Sequence, residues 1–244
     1  MIECRREYGV AQLTLNRPER HNALVPEMLE QFLERIGELQ EDAPKALIVQ
    51  AHGAAFSTGG DVRELYKHSC AYADTLVSAL NRTILALLNF PATVVCVAHG
   101  WVTGGALGLL LAADRVFARE DLKIAAYYGV VGFSPDGGWT AILPSRIGAR
   151  KAFSLIATND TLNAIQAQHH GLVDEIHETD PWAAAAHYSR HLSSAPVGVL
   201  RHARHLINNP TTIATGLDAE REAFTEQIQT IEAREGMQRF LRMR

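Results

Sequence analysis

From Ala92 to Ala113 the sequence carries no formally charged residue. Such a run either crosses a bilayer as one helix or is buried in a protein core in pieces. Its order of residues favours pieces. TVVCVA at 93–98 is rich in β-branched residues, His99 and glycines at 100, 104, 105 and 108 interrupt the middle, and ALGLLLAA at 106–113 reads as a helix. A buried strand, a glycine turn and a helix satisfy that pattern. A related arrangement lies upstream, where the apolar segment ALIVQA at 46–51 precedes the glycine turn AFSTGGD at 55–61. Either turn alone reads as an ordinary bend or a site of close packing. Together, two such turns can aim two backbone N–H groups at one oxygen atom, which points to chemistry on a carbonyl. Gly104 and Gly105 stand where the helix begins, and unpaired amides there favour an oxyanion.

Composition narrows the class. At 244 residues and 47% hydrophobic content, the chain is expected to form one main α/β core with an appended helical segment. Twenty-three basic against 27 acidic residues leave a net charge of −4, which argues against a nucleic-acid partner. Cys4, Cys70 and Cys96 are odd in number and lack CxxC spacing, as expected of free thiols serving as buried small hydrophobes. MIECRREYGV has no secretory apolar stretch and the terminal RMR is no recognised address, so a cytoplasmic protein is expected, without membrane attachment. His169, His170, His187, His191, His202 and His205 lack an HExxH pattern or a cysteine cluster and read as surface residues; no metal site is expected.

Periodicity predicts a hairpin from 2–7 and 10–16 around Tyr8 and Gly9, then an amphipathic helix at 26–42. Strand 46–51, a helix through 70–90, strand 93–98, helix 105–113 and short strands near 114–118 and 123–126 follow. Beyond Pro135 the predicted helices are 138–143, 148–157, 161–169, 181–193, 196–208 and 211–242, with Leu172 and Val173 strand-like. The last helix has a sparse apolar stripe at Leu217, Phe224, Ile228 and Ile231, which needs another surface to cover it. The alternation predicts a mixed sheet covered by helices. No GxGxxG follows the first strand, and neither GxxxxGK[ST] nor GxSxG occurs, so dinucleotide, P-loop and serine-hydrolase readings lack their signatures.

Four segments, LTLNRPERHNAL at 13–24, GAAFSTGGDV at 53–62, AHGWVTGGALGLLLAAD at 98–114 and GFSPDGGWTAILPSRIGARKA at 132–152, resemble in order and spacing the crotonase superfamily of enoyl-CoA hydratases and isomerases. The resemblance covers almost the whole chain. It implies an α/β crotonase-like (ClpP/crotonase) spiral of ββα units over 1–190, a helical C-terminal region over 191–244, and assembly as a homotrimer or homohexamer. It also implies an acyl-CoA thioester substrate, with no cofactor beyond the coenzyme A that the substrate carries. Gly60 and Gly105 match the two amides that hold the thioester oxygen. Arg20, His21 and Ala23 match the loop that touches the CoA nucleotide. Ser57, Gly59, Asp61, Val62 and Gly104 flank the oxyanion positions, with Asp61 expected to cap the following helix.

The sequence departs from the family at the two hydratase glutamates, whose positions are held by Gly108 and Tyr128. Paired carboxylates around a water are therefore absent. Asp136 in the PDGG run matches a catalytic aspartate of the dienoyl-CoA isomerases and of the ring-epoxide isomerases of phenylacetate breakdown. One carboxylate between two carbons can remove a proton from one and return it to the other. Pro-Asp-Gly-Gly is also a good turn, so a turn or capping role is the competing reading of Asp136. Tyr127 and Tyr128 are expected to line the acyl pocket, and with Trp101 and Trp139 would suit an aromatic or cyclic acyl group or simply pack the core. The leading expectation is an enoyl-CoA double-bond isomerase; a thioester hydrolase or atypical hydratase on the same site, and a non-catalytic acyl-CoA binder, remain open.

Overall fold

The computed structural model describes residues 1–68, 70–192 and 197–242. The charge-free run is divided as its composition demands: β4 (Thr93–Ala98), β5 (Trp101–Thr103), a 3-10 turn at Gly104–Ala106 and α4 (Leu107–Leu111). Each is largely buried. Among the described residues no helix is long and apolar enough to cross a membrane.

A six-stranded sheet is built on this run. It starts from the hairpin of β1 (Ile2–Glu7) and β2 (Val10–Leu15), which pair antiparallel; β3 (Ala46–Ala51), β4, β6 (Arg115–Arg119) and β9 (Glu175–His177) add in parallel. Strands buried on both faces need no polar alternation, which is why ALIVQA and TVVCVA read as continuous apolar runs. One face carries α1 (Pro26–Glu41) and α3 (Cys70–Leu88), with Met28, Leu29, Phe32 and Ile36 of α1 almost fully enclosed. The other packs Val10, Ile48, Val95, Val97 and Phe117 against Ala185 and Ala186 of α9 (Pro181–Arg190). A smaller sheet joins β5 in parallel to β7 (Lys123–Ala125), which pairs antiparallel with β8 (Leu162–Asn163).

Several elements differ from expectation. Of the residues 138–143 expected to be helical, 138–142 form a turn, because Gly137 and Gly138 hold φ of 62° and 87°; the helix α6 starts only at Leu143 and runs to Ile147. The strand-like pair Leu172 and Val173 is buried but unpaired in the sheet, and the strand is β9, a few residues later. A short helix, α5 (Tyr128–Val131), was not expected; it is bounded by Tyr127 and Gly132, both at positive φ. The expected helices at 148–157 and 161–169 correspond to α7 (Ala149–Thr158) and α8 (Ala164–His169).

The helix expected at 211–242 is two helices, α11 (Pro210–Gln227) and α12 (Ile231–Arg242), parted where the Thr230 hydroxyl donates to Gln227 O and accepts from Ala233 N–H. Its apolar stripe is covered within the chain. Leu217 and Phe224 are buried, α11 lies on α3, and Asn81 of α3 donates to Leu217 O at 2.8 Å, whereas Ile231 stays exposed. Residues 193 and 196, where two predicted helices were to end and begin, lie outside the described residues, as do 243 and 244 of the terminal RMR. Of the cysteines only Cys96 is buried; Cys4 is exposed and Cys70 half-buried.

The C-terminal helices are tied to the sheet by α10 (Val197–Asn208). Its Arg204, 8% exposed, donates to Asp114 Oδ1 at 2.7 Å, to the Leu87 carbonyl in the last turn of α3, and to the carbonyls of Phe90 and Ala92 beyond it. Asp114 in turn accepts the Val94 N–H at 2.7 Å. Removing the guanidinium takes the buried donor away from the Phe90 and Ala92 carbonyls. Arg204→Met is expected to lower the free energy of unfolding by about 3 kcal/mol, read from chemical denaturation against the wild type.

Candidate active site

The first glycine turn is fastened by the loop before α1. Asn22, fully buried, donates to the carbonyls of His52 and Ala55 and accepts the Arg17 N–H. Arg17 pairs with Asp61 at 2.9 Å, and Asp61 caps α2 (Val62–Lys67) by accepting the Arg63 N–H, the role expected of it. Ser57 is fully enclosed: its hydroxyl donates to Asn22 O at 2.7 Å and accepts the Gly59 N–H. A parallel bridge between Leu24 and Gly60 uses the Gly59 carbonyl and the Asp61 N–H. In parallel pairing the intervening residue turns its own N–H to the opposite side, so Gly60 keeps a donor that the bridge does not consume.

The second turn is laid against the first. Ser57 bridges Val102 in parallel through the Trp101 carbonyl and the Thr103 N–H. The approach is so close that a Cβ on Gly59 would lie 2.7 Å from Thr103 O, at a φ of 74° that already favours glycine. Trp139 donates its indole N–H to Gly104 O at 2.8 Å. The helix expected at 105–113 is shorter than its sequence suggests, a 3-10 turn followed by five α-helical residues. A long helix dipole therefore contributes little, and the amides of the first turn, which have no partner inside the helix, are the available donors.

Gly60 and Gly105 line one cleft of about 500 Å³, together with Asp136. Its remaining wall is mostly apolar: Val62, Leu65, Leu76 and Val131, with the aromatic rings of Trp101, Tyr127, Tyr128, Phe133, Phe224 and Phe240. Phe133 and Phe224 meet edge to face at 5.1 Å, and Trp101 and Tyr127 at 6.1 Å.

Asp136 is 7% exposed, and its carboxyl lies directly over Gly105: a Cβ on that glycine would sit 2.8 and 2.9 Å from the two carboxyl oxygens. The Tyr128 hydroxyl donates to Asp136 Oδ1 at 2.7 Å. Burial pushes the Asp136 carboxyl up to about 7; the Tyr128 hydrogen bond opposes that rise and the charge of Glu220 adds to it. Burial, then the adjacent Asp136, raises the Tyr128 phenol well above its ordinary value, so it stays a donor. The backbone of Asp136 makes the turn while its side chain faces the cleft.

The residues singled out in the sequence are brought together unevenly. His21, Gly59, Gly60, Val62, Gly104, Gly105, Tyr127, Tyr128 and Asp136 line the cleft. Arg20, Ala23 and Asp61 line an adjoining hollow of about 200 Å³ that shares His21, Gly60 and Val62 with it. Ser57 and Gly108 were expected at the ligand and are not there. Ser57 is spent on the Asn22 carbonyl, and Gly108 is pressed against Ile84 and the Gly137 carbonyl. Trp139 is a core residue rather than pocket wall. Phe133, Phe224 and Phe240 were missed, as was Glu220, although Glu220 falls between Leu217 and Phe224 on the buried stripe of α11, where a lone acid calls for a partner.

Comparison with known proteins bears on the family and the fold. The family model described as enoyl-CoA hydratase/isomerase matches residues 5–244. The chain is 30% identical to a 1,2-epoxyphenylacetyl-CoA isomerase of Escherichia coli, over 98% of this chain and 94% of that protein. It is 33% identical to a trans-2-decenoyl-[acyl-carrier-protein] isomerase of Streptococcus mutans, over 70% and 67% respectively. The crystal structure of an enoyl-CoA hydratase from Bacillus halodurans superposes with a TM-score of 0.91 at 23% identity, covering 98% of this chain and 99% of that one, which establishes the crotonase fold. With a whole-chain match and a shared architecture, the chain belongs to the enoyl-CoA hydratase/isomerase family.

Proposed function

We propose that the protein shifts a double bond in an acyl-CoA thioester, using the Gly60 and Gly105 N–H groups to hold the enolate oxygen and Asp136 to carry the proton. The observation that supports this most is the single buried carboxyl placed over Gly105 and at the wall of an apolar cleft. An α-proton becomes acidic when the thioester oxygen is stabilised by donors in a dry site. A carboxyl poised near neutrality can take that proton and return it elsewhere along the acyl chain. Coenzyme A enters only as part of the substrate, and the aromatic wall suits a planar or cyclic acyl group.

The paired-carboxylate hydration route is opposed by packing as well as by sequence. At position 108 a Cβ would collide with Ile84 and lie 2.6 Å from the Gly137 carbonyl, a backbone atom that cannot swing aside. At position 128 the phenol engages Asp136 instead of offering a second acid.

Four outcomes are expected. With an unsaturated acyl-CoA in deuterated water, Asp136→Asn should slow α- and γ-proton exchange by about 10²–10⁴-fold while leaving CoA-ester affinity within a few-fold; exchange at the native rate would remove Asp136 from the mechanism. Gly108→Glu should yield a less stable protein, by at least about 1–3 kcal/mol, with no product heavier by one water in mass spectrometry. The exchange rate should rise with pH and level off above about 7, because proton removal needs the ionised carboxyl. Since the Asp136 value is raised in the folded state, its contribution to stability is complete below pH 4 and lost as pH climbs through about 7. Thermal denaturation should accordingly show Asp136→Asn gaining on the wild type between pH 4 and 8, by a few kcal/mol at the upper end.

A further inference from the structure

We propose that Glu220, on α11, is a positioning residue for the Asp136 carboxyl, acting through the turn that carries it. Glu220 is 4% exposed. Its Oε2 accepts the Gly138 N–H at 2.7 Å, and its Oε1 accepts the Thr140 N–H at 2.6 Å, the Thr140 hydroxyl at 2.7 Å and the Ala141 N–H at 2.9 Å. One side chain from the C-terminal helices thus gathers four donors from 138–141, immediately after Asp136. The same helix presses on that turn elsewhere, since a Cβ on Gly216 would lie 2.8 Å from Ala141 Cβ.

A buried carboxylate is costly unless its oxygens are satisfied, and here they are. The arrangement does two things. It holds the backbone of Gly137 and Gly138 in left-handed conformations, which sets the Asp136 carboxyl over Gly105. It also places a negative group where it opposes a second negative charge on Asp136. Beside Asp136 lie Gly105 of the Gly104–Ala106 turn and Tyr128 of α5, which donates to it. Around Glu220, Arg221 turns outward to pair with Asp74 of α3 and lies beside Asp218. Burial holds the Glu220 carboxyl above its ordinary value, and its hydrogen bonds pull it back.

The inference rests on Asp136 being the proton carrier, and its test reads Asp136 without substrate. The carboxyl ¹³C titration of Asp136, assigned by its loss in Asp136→Asn, is followed in the wild type, Glu220→Gln and Thr140→Ala. Glu220→Gln removes the charge, retains the acceptor oxygen for Thr140 and Ala141, and turns its amide to the Gly138 N–H. Its midpoint should fall by about one pH unit. Thr140→Ala loosens the same turn but leaves the charge, and because burial is what holds the Asp136 carboxyl up, its midpoint should also fall, by less. An effect of the Glu220 charge alone would lower the first variant and leave the second unmoved. A midpoint unmoved or raised in either variant overturns the proposal. If Glu220→Gln does not fold, Thr140→Ala decides by the same criterion. Proton exchange on an unsaturated acyl-CoA, run in parallel, separates the two ideas: absence of exchange in the wild type would defeat the isomerase reading while the titrations still judge Glu220.

Discussion

Gly105 and Gly137 meet backbone to backbone, and the geometry of the site follows from how little space lies between them. A Cβ on Gly137 would collide with the Gly105 carbonyl and lie 2.5 Å from its Cα, while one on Gly105 would fall among the Asp136 carboxyl oxygens. Only two residues without side chains can close to that distance. The contact brings an acid, a 3-10 turn and the end of a glycine loop to one wall, although they are far apart in sequence. It also fills the space beside Gly108, so the room that a glutamate would need there is occupied by the chain itself.

A single acid in such surroundings behaves differently from a pair. Two carboxylates sharing a water divide the acid and base roles between them. Here Tyr128 stands where the second would be, and a phenol held neutral by burial can orient Asp136 without competing for its proton. The same enclosure that raises the Asp136 carboxyl toward neutrality makes its ionised form a burden on the fold.

The sequence disclosed what depends on neighbours a few residues away. The hairpin around Tyr8 and Gly9, the Pro26–Glu41 helix and the strands at 46–51 and 93–98 were legible because their apolar periodicity is strong and their ends are marked. The glycine turns were legible as turns, and their meeting was inferred from chemistry. What stayed hidden is long-range. Nothing local in GGWTAI says that two glycines take left-handed conformations or that a carboxylate 82 residues downstream holds Gly138, so 138–143 read as a helix. Asn22 carried no signal of its own, yet it joins two segments through three hydrogen bonds. Ser57 looked like a ligand-facing hydroxyl because the donors and acceptors that consume it come from 35 residues away and from its own turn.

Phe224, Phe240 and Glu220 all belong to the last two helices. They supply part of the cleft wall and the clamp on the Asp136 turn. During synthesis, then, the sheet and both glycine loops can leave the ribosome and fold while the cleft still lacks one side. The enclosure around the carboxyl is completed only when α12 emerges, so ligand binding by a nascent chain must await both of these helices.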